Sequence, residues 1–277
     1  MKTSTITMRA ILCALLASAG TAYGNFSDLW WDPAKPGRAI SIEDQGSAQF
    51  ALIFDYAPDG RATWLVAPAV GWNFGLQGDV YRAWGRPIGA PVTSTDVFML
   101  ERVGEIFIDF RVENTLEQAW YSVDGRTVNQ VMKRFVFGKP PTCDFDDLLP
   151  VVSFQGLWWN SSEPGWAIHI SEQATQDGST IFALLATYAQ DGQAAWLVAS
   201  DLKQGVDGSY SGRLHRTRAA TPGPLSQAQF EIEEVGNMRL AFQTGAVGEL
   251  TYTADGASVS RPIERYRFGR DPGFCRR

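Results

Sequence analysis

Histidines and cysteines are the first places to look for chemistry, and this chain has few of either. His169 and His215 are its only histidines, and no Cys/His spacing suits zinc. The segment 208–212 looks like a serine-hydrolase elbow, but its central residue is a tyrosine. No phosphate-binding or dinucleotide-binding glycine loop is present. We therefore predict no metal, no cofactor and no enzymatic activity.

Carboxylates leave one enzymatic alternative, a glycan hydrolase. Such an enzyme needs two carboxyl groups several ångströms apart in a cleft. Asp44 and Glu172 match between the two halves of the chain, as do Glu101 and Glu233. Glu101 and Glu233 stand beside predicted hairpins, where solvated turn residues are common. The hydrolase is the least favoured hypothesis.

Tryptophan is unusually frequent, with ten residues in the chain. Trp30 and Trp158 are expected in a core, because aromatic rings dominate small β cores. Indole faces elsewhere could stack on sugar rings or on an apolar ligand, and their N–H groups could donate hydrogen bonds. The predicted ligand contacts are Trp31, Tyr56, Trp64, Trp159, Trp166, Tyr188 and Trp196.

These aromatic residues belong to an internal repeat that covers both halves of the chain. The matching segments include Leu-Trp-Trp at 29–31 and 157–159, Phe-Ala-Leu at 50–52 and 182–184, and Trp-Leu-Val-Ala at 64–67 and 196–199. We predict one β domain over 25–138, a linker over 139–153, a second β domain over 154–269 and a tail over 270–277.

Each copy alternates apolar and polar residues over short stretches, which is typical of strands. The four Asp-Gly pairs that match between the copies, at 59–60, 124–125, 191–192 and 255–256, fall between apolar runs and indicate hairpins. The Val-Gly pairs at 103–104 and 235–236 are interpreted as further hairpin turns. We predict an all-β protein of two tandem antiparallel meanders with about eight strands each. Up-and-down barrels are favoured, and β-sandwiches are the alternative.

The double-tryptophan opening, the Pro-Gly pair, Tyr-x-x-Asp-Gly and Trp-Leu-Val resemble a repeat of uncharacterised exported proteobacterial proteins. That resemblance covers nearly all of both copies and implies no activity. Gly156-Leu157-Trp158 is also similar to the opening G-x-W of lipocalin and avidin barrels, although the first copy has Asp28 at the glycine position. This likeness implies that Arg134 and Arg265 pack on the opening tryptophans.

The first 24 residues have the pattern of a secretory signal. Lys2 and Arg9 precede a short apolar run, and an Ala-x-Gly site precedes Asn25, with a second candidate cut after Ala19. We expect a periplasmic or secreted protein with no membrane span in the mature chain. Cleavage before Asn25 leaves 22 basic and 30 acidic residues, a net charge of −8, which disfavours nucleic-acid partners.

Two cysteines remain after cleavage, Cys143 and Cys275, and each follows the end of one copy. A disulfide is the default in an oxidising compartment, and the alternatives are a bridge between chains or two free thiols. For function, we favour a non-enzymatic binding protein for a glycan or an amphipathic small molecule. A structural or protein-interaction module with filled barrels, or an inhibitor, is the alternative.

Overall fold

The structure is a computed structural model, and all of the regular structure that it describes is β-strand. The described residues are 26–35, 37–46, 48–72, 75–90, 98–110, 117–143, 153–219, 230–269 and 275–276. The predicted signal peptide lies outside them, as do most of the predicted linker and most of the predicted tail.

Each copy of the repeat supplies eight strands. The first copy contains β1 (Asp28–Trp31), β2 (Ala39–Gln45), β3 (Ala48–Tyr56), β4 (Ala62–Trp72), β5 (Gly75–Trp84), β6 (Met99–Asp109), β7 (Glu117–Val123) and β8 (Arg126–Arg134). The second copy contains β10 (Gly156–Trp159), β11 (Ala167–Thr175), β12 (Gly178–Tyr188), β13 (Ala194–Gln204), β14 (Tyr210–Ala219), β15 (Phe230–Phe242), β16 (Val247–Ala254) and β17 (Ala257–Arg265). Two short strands, β9 (Thr142–Cys143) and β18 (Cys275–Arg276), pair with each other.

Both sheets close on themselves as antiparallel meanders. In barrel 1, β1 pairs with β2 on one side and with β8 on the other, and in barrel 2 β10 pairs with β11 and β17 in the same way. The prediction of two tandem up-and-down barrels is therefore confirmed. Because each sheet closes, its first and last strands pair with each other and their backbone N–H and C=O groups are not left unpaired at an edge.

Apolar side chains fill the inside of each barrel. Trp30 and Trp158 lie in these cores with 2% and 0% of their surface exposed, as expected from the sequence. The guanidinium of Arg134 lies 4.6 Å from the ring centre of Trp30, and that of Arg265 lies 5.0 Å from the ring centre of Trp158. Each arginine therefore makes a cation–π contact with the opening tryptophan of its own copy.

The Asp-Gly pairs form turns, as predicted. Asp124 and Gly125 both have positive φ, as do Asp255 and Gly256, which is the backbone of a two-residue type I′ hairpin. These turns join β7 to β8 and β16 to β17.

The interpretation of the Val-Gly pairs as hairpins is wrong. Val80 pairs with Gly104 and the next residue, Tyr81, pairs with Arg102, so Val103 is the extra residue of a β-bulge inside the single strand β6. Glycine is required there because a Cβ on Gly104 would lie 1.8 Å from the Ser122 carbonyl oxygen. β6 is therefore one strand where the Val-Gly interpretation predicts two, and β1 brings the number of strands to eight.

Candidate functional site

Four of the seven predicted ligand contacts lie between the two barrels. The outer faces of β3 and β4 pack against those of β12 and β13, and this interface leaves 3% of Trp64 and 4% of Trp196 exposed. The Trp64 indole N–H donates to the Thr187 carbonyl at 2.7 Å, and Trp196 donates to the Asp55 carbonyl at 3.2 Å. Both indoles therefore hold the barrels together, with their N–H groups already used.

The two tyrosines complete this pseudo-symmetric arrangement. Tyr188 packs against Trp64 with ring centres 5.4 Å apart, and Tyr56 packs against Trp196 at 5.6 Å. The Tyr56 hydroxyl donates to Thr217 Oγ1 at 2.9 Å, and burial raises the pKa of Tyr56 to about 12. Tyr56 also borders a pocket at one end of barrel 1. Tyr188 is buried, with 5% of its surface exposed.

Trp31 and Trp159 contact the segments that leave each barrel. Each ring meets an aromatic ring edge-on, Trp31 against Phe135 at 5.7 Å and Trp159 against Tyr266 at 4.9 Å. These segments, 135–139 and 266–269, cross to the opposite barrel, and we call them the straps. The rings of Trp31 and Trp159 are half-buried and support the straps.

A buried glutamine of the opposite barrel holds each strap. Gln173 Oε1 accepts from the backbone N–H groups of Phe137 and Gly138 at 2.8 and 2.7 Å, and its Nε2 donates to the Phe135 carbonyl at 2.8 Å. Gln45 makes the same three bonds to the second strap, at 2.8, 2.9 and 2.9 Å. Each barrel therefore binds the strap of the other barrel through the hydrogen bonds of one glutamine.

Trp166 lies inside barrel 2 and closes one of its ends. It has 5% of its surface exposed and belongs to the barrel 2 core. Ile88, from the segment that follows β5 of barrel 1, joins the same core with 4% exposed. Gly89 lies beside Val259, since a Cβ there would be 3.0 Å from that side chain. We call this end of barrel 2 the closed mouth.

The corresponding end of barrel 1 holds a pocket of about 400 Å³, which we call the open mouth. Arg38 occupies the position that Trp166 has in barrel 2, because each immediately precedes the first residue of its second strand. Apolar walls come from the start of β4, the end of β5, the β7–β8 turn and barrel 2. The apolar lining includes Leu65, Ala83, Trp84, Val123, Val128 and Ala194.

A polar network forms the floor of the open mouth. Arg38 Nε donates to Asp55 Oδ1, which also accepts the backbone N–H of Tyr56 at 2.7 Å. Asp55 Oδ2 accepts from the Tyr121 hydroxyl at 2.9 Å, and that hydroxyl accepts from Gln130 Nε2 at 3.2 Å. The network places an ion pair and a buried amide between the pocket and the apolar core.

Two further arginines border the rim of the pocket. Arg82 lies 5.9 Å from the ring centre of Trp84 and forms ion pairs with Glu101 and Asp124. Arg126 is exposed beside the β7–β8 turn. The open mouth therefore combines apolar walls with cationic and hydrogen-bonding groups, which suits a ligand that has both characters.

Sequence reasoning missed Arg38, Asp55 and Trp84 as pocket residues. A signal for them existed, because Arg38 interrupts the repeat at the position where the second copy has Trp166, and Asp55 stands where it has Thr187. A mismatch between two otherwise matched copies marks a position at which the fold itself accepts more than one side chain.

The matched acids have structural partners. Asp44 accepts the backbone N–H of Gly46 at 3.1 Å, and Glu172 accepts that of Phe154 at 2.7 Å and the Tyr210 hydroxyl at 2.9 Å. Glu101 and Glu233 lie exposed in β6 and β15 and pair with Arg82 and Arg216 at 3.4 and 3.1 Å. The same two arginines also pair with Asp124 and Asp255 of the hairpin turns. These contacts give the acids roles in holding strands and surface ion pairs.

One histidine and one glutamate are buried at the interface between the barrels. His169 Nδ1 lies 2.7 Å from Ser41 Oγ and its Nε2 lies 3.0 Å from Ser171 Oγ, and burial lowers its pKa to about 3. Glu43 has 4% of its surface exposed, and burial raises its pKa to about 8. At neutral pH, both side chains are therefore in their uncharged forms. His215 is half-buried on β14.

The backbone brings Cys143 and Cys275 into register. Cys143 of β9 and Cys275 of β18 are directly opposed in the antiparallel pair. Opposed residues in such pairs have Cα atoms about 4.5–5.5 Å apart, within the range of a disulfide. The disulfide stays a prediction, and the backbone pairing is compatible with it.

Comparisons with protein-family models, with curated proteins and with solved structures found no match to this chain. Within the described residues, no helix has the length and apolar character of a membrane span. The same part of the chain contains no group of three or more His, Cys, Asp or Glu side chains arranged to hold a metal ion.

Proposed function

We propose that this protein is an exported, non-enzymatic binding protein that takes a small amphipathic molecule into the open mouth of barrel 1. The observation that carries the proposal is the difference between the two mouths. Trp166 and Ile88 fill the mouth of barrel 2, whereas Arg38 leaves a pocket of about 400 Å³ in barrel 1. Pockets that bind small molecules have about 300–1,000 Å³.

The lining specifies how the ligand would lie. Its apolar body would contact Leu65, Trp84 and Val128 on the walls, and its polar group would face Arg38 and Asp55 on the floor. An acceptor such as a carboxylate or sulfonate suits the guanidinium of Arg38 and the nearby rim arginines. Of the seven ligand contacts predicted from the sequence, Tyr56 is the one that borders this pocket.

Asp55 is better suited to holding the pocket's shape than to catalysis. Its two oxygens accept hydrogen bonds from Arg38, Tyr121 and the backbone of Tyr56. A general base must instead reach a proton on the substrate. This arrangement supports binding over hydrolysis at the open mouth.

A double substitution tests the proposal by installing the closed mouth of barrel 2 in barrel 1. The variant Arg38→Trp/Asp55→Thr introduces the two residues, Trp166 and Thr187, that barrel 2 already accommodates. The probe is 1-anilinonaphthalene-8-sulfonate, an amphipathic anion whose fluorescence reports apolar binding. We expect saturable binding to the wild-type protein and at least about tenfold weaker binding to the double variant.

The matched control is Arg213→Trp, the same change at an exposed arginine on the outer wall of barrel 2. It should bind the probe as the wild type does. Equal probe affinity in the wild type and in a folded double variant would contradict the proposed site. Native mass spectrometry of the protein purified from the periplasm would then identify any natural ligand by its added mass.

A protein-interaction module is the second candidate, favoured by the filled interiors of both barrels. The described cores place Trp, Tyr, Ile, Leu and Met side chains where a lipocalin-like barrel would hold a ligand. Native mass spectrometry separates the two functions. A bare chain that associates with another protein would favour this candidate over the small-molecule proposal.

A further inference from the structure

We propose a second binding site, for a neutral glycan, on the outer wall of barrel 1. It is formed by a row of side chains that runs across β5 to β8: Gln77, Phe107, Trp120 and Asn129. None of these residues lines the open mouth. This site is therefore independent of the proposed small-molecule site.

Strand alternation directs this row away from the core. Ile106 and Ile108 flank Phe107 in sequence and are buried, and Ala119 and Tyr121 flank Trp120 in the same way. Phe107 and Trp120 are directly opposed on neighbouring strands and are only half-buried. Two adjacent aromatic residues on an outer wall form an apolar surface that the barrel core does not need.

Barrel 2 shows that the fold does not require this aromatic pair. The residues at the same register of β15 and β16 are Arg239 and Thr251, which are also directly opposed. The same strands, closure and bulge form with these polar side chains. The aromatic pair is therefore specific to barrel 1.

The groups around the pair indicate a sugar. An open groove of about 550 Å³ runs along β5 and β6 beside the row and is lined by Gln77, Asp79, Glu105, Phe107 and Trp120, among others. The C–H face of a pyranose ring can pack on an indole, and amides and carboxylates can bond to ring hydroxyls. This combination of an aromatic face with polar groups at its edge is the chemistry that recognises a glycan.

The charges around the groove select a neutral glycan. Arg102 bridges Asp79 and Glu105, at 2.7 Å to each, so this trio carries a net negative charge. An acidic sugar would be repelled by these carboxylates, whereas a neutral one would use them as hydrogen-bond acceptors.

The test uses the purified full-length mature protein, labelled with ¹⁵N, and three neutral hexasaccharides: cellohexaose, chitohexaose and maltohexaose. The indole N–H resonance of Trp120 is assigned as the one missing from Trp120→Phe. We expect this resonance to shift saturably with at least one of the three. Hexagalacturonate, an acidic hexasaccharide, should leave it unchanged.

The decisive variant is Phe107→Arg/Trp120→Thr, which installs the barrel 2 pair in barrel 1, and binding is compared by calorimetry. Its affinity for the neutral hexasaccharide should fall at least about tenfold. The matched control, Arg239→Phe on barrel 2, should bind as the wild type does. Arg38→Trp/Asp55→Thr should also leave glycan binding unchanged, so this site and the open mouth can fail separately. No binding by any neutral hexasaccharide at ~5 mM, or unchanged binding in the double variant, would overturn the proposal.

Discussion

Glu43 should make the stability of this protein fall as the pH rises through neutrality. It lies on β2 at the interface between the barrels, where a Cβ on Gly156 would be 3.4 Å from its carboxyl group. Burial is the main cause of its raised pKa, and the charge of Arg265 only partly opposes that effect. The carboxyl group is therefore protonated in the folded state at neutral pH.

The size of the effect follows from proton linkage. The pKa rises from 4.5 in a solvated glutamate to about 8 in the folded protein. Because the folded state holds its proton more tightly, this stabilisation is fully present below pH 4.5 and is lost as the pH rises through 8. The full loss is about 5 kcal/mol, and roughly 3–4 kcal/mol of it falls between pH 5 and 8.

The substitution Glu43→Gln removes the ionisation and keeps the shape of the side chain. Urea unfolding followed by tryptophan fluorescence should show the variant gaining stability over the wild type as pH rises from 5 to 8. The control Glu101→Gln changes an exposed acid, 58% of whose side chain is accessible, and should shift stability by less than about 0.5 kcal/mol at every pH. A difference between Glu43→Gln and wild type that does not vary with pH would refute the reasoning.

Three further predictions concern other buried or constrained positions. The pKa of His169 is lowered from 6.5 to about 3, so wild-type stability should fall as pH drops below 6.5, and His169→Gln should remove that slope in unfolding measured from pH 7 to 4. If Cys143 and Cys275 form a disulfide, the intact mass should lie about 2 Da below that of the reduced chain. Cys143→Ser, which leaves Cys275 unpaired, should then lower the free energy of unfolding by about 5 kcal/mol, as estimated for a loop of about 130 residues. Gly104→Ala should lower the thermal midpoint, with a cost of about 1–3 kcal/mol or more, because its Cβ would collide with the carbonyl of Ser122.

Local signals in the sequence were enough to predict most of the strands, the repeat and the Asp-Gly hairpins. Asp124-Gly125 needs positive φ at both residues, and that requirement is visible in the two residues alone. The Val103-Gly104 pair also contains a required glycine, but the reason is not a turn. Gly104 is needed because the backbone of β7 passes close by, and this contact depends on the register of a neighbouring strand.

The candidate site could be predicted only in part because alternation shows which face of a strand a residue occupies and not what covers that face. Trp64 and Trp196 do point outward from their barrels, as alternation requires. Their outer faces meet each other across the interface, so both indoles are buried there with their N–H groups bonded to backbone carbonyls. Only the arrangement of the two barrels contains that information.

The two copies serve as controls for each other, and this comparison separates folding from function. Shared residues explain the common architecture: Trp30 and Trp158 fill equivalent cores, and Gln45 and Gln173 hold equivalent straps. Unshared residues occupy positions where the same fold tolerates another side chain.

Two sets of unshared residues lie around space that a ligand could fill. One surrounds Arg38 at the open mouth, and the other surrounds the Phe107–Trp120 pair on the outer wall. Barrel 2 closes the first space with Trp166 and replaces the second pair with Arg239 and Thr251. If substitution of barrel 1 by barrel 2 residues abolishes binding and preserves folding, barrel 1 carries the recognition, while barrel 2 supports it through the interface and the straps.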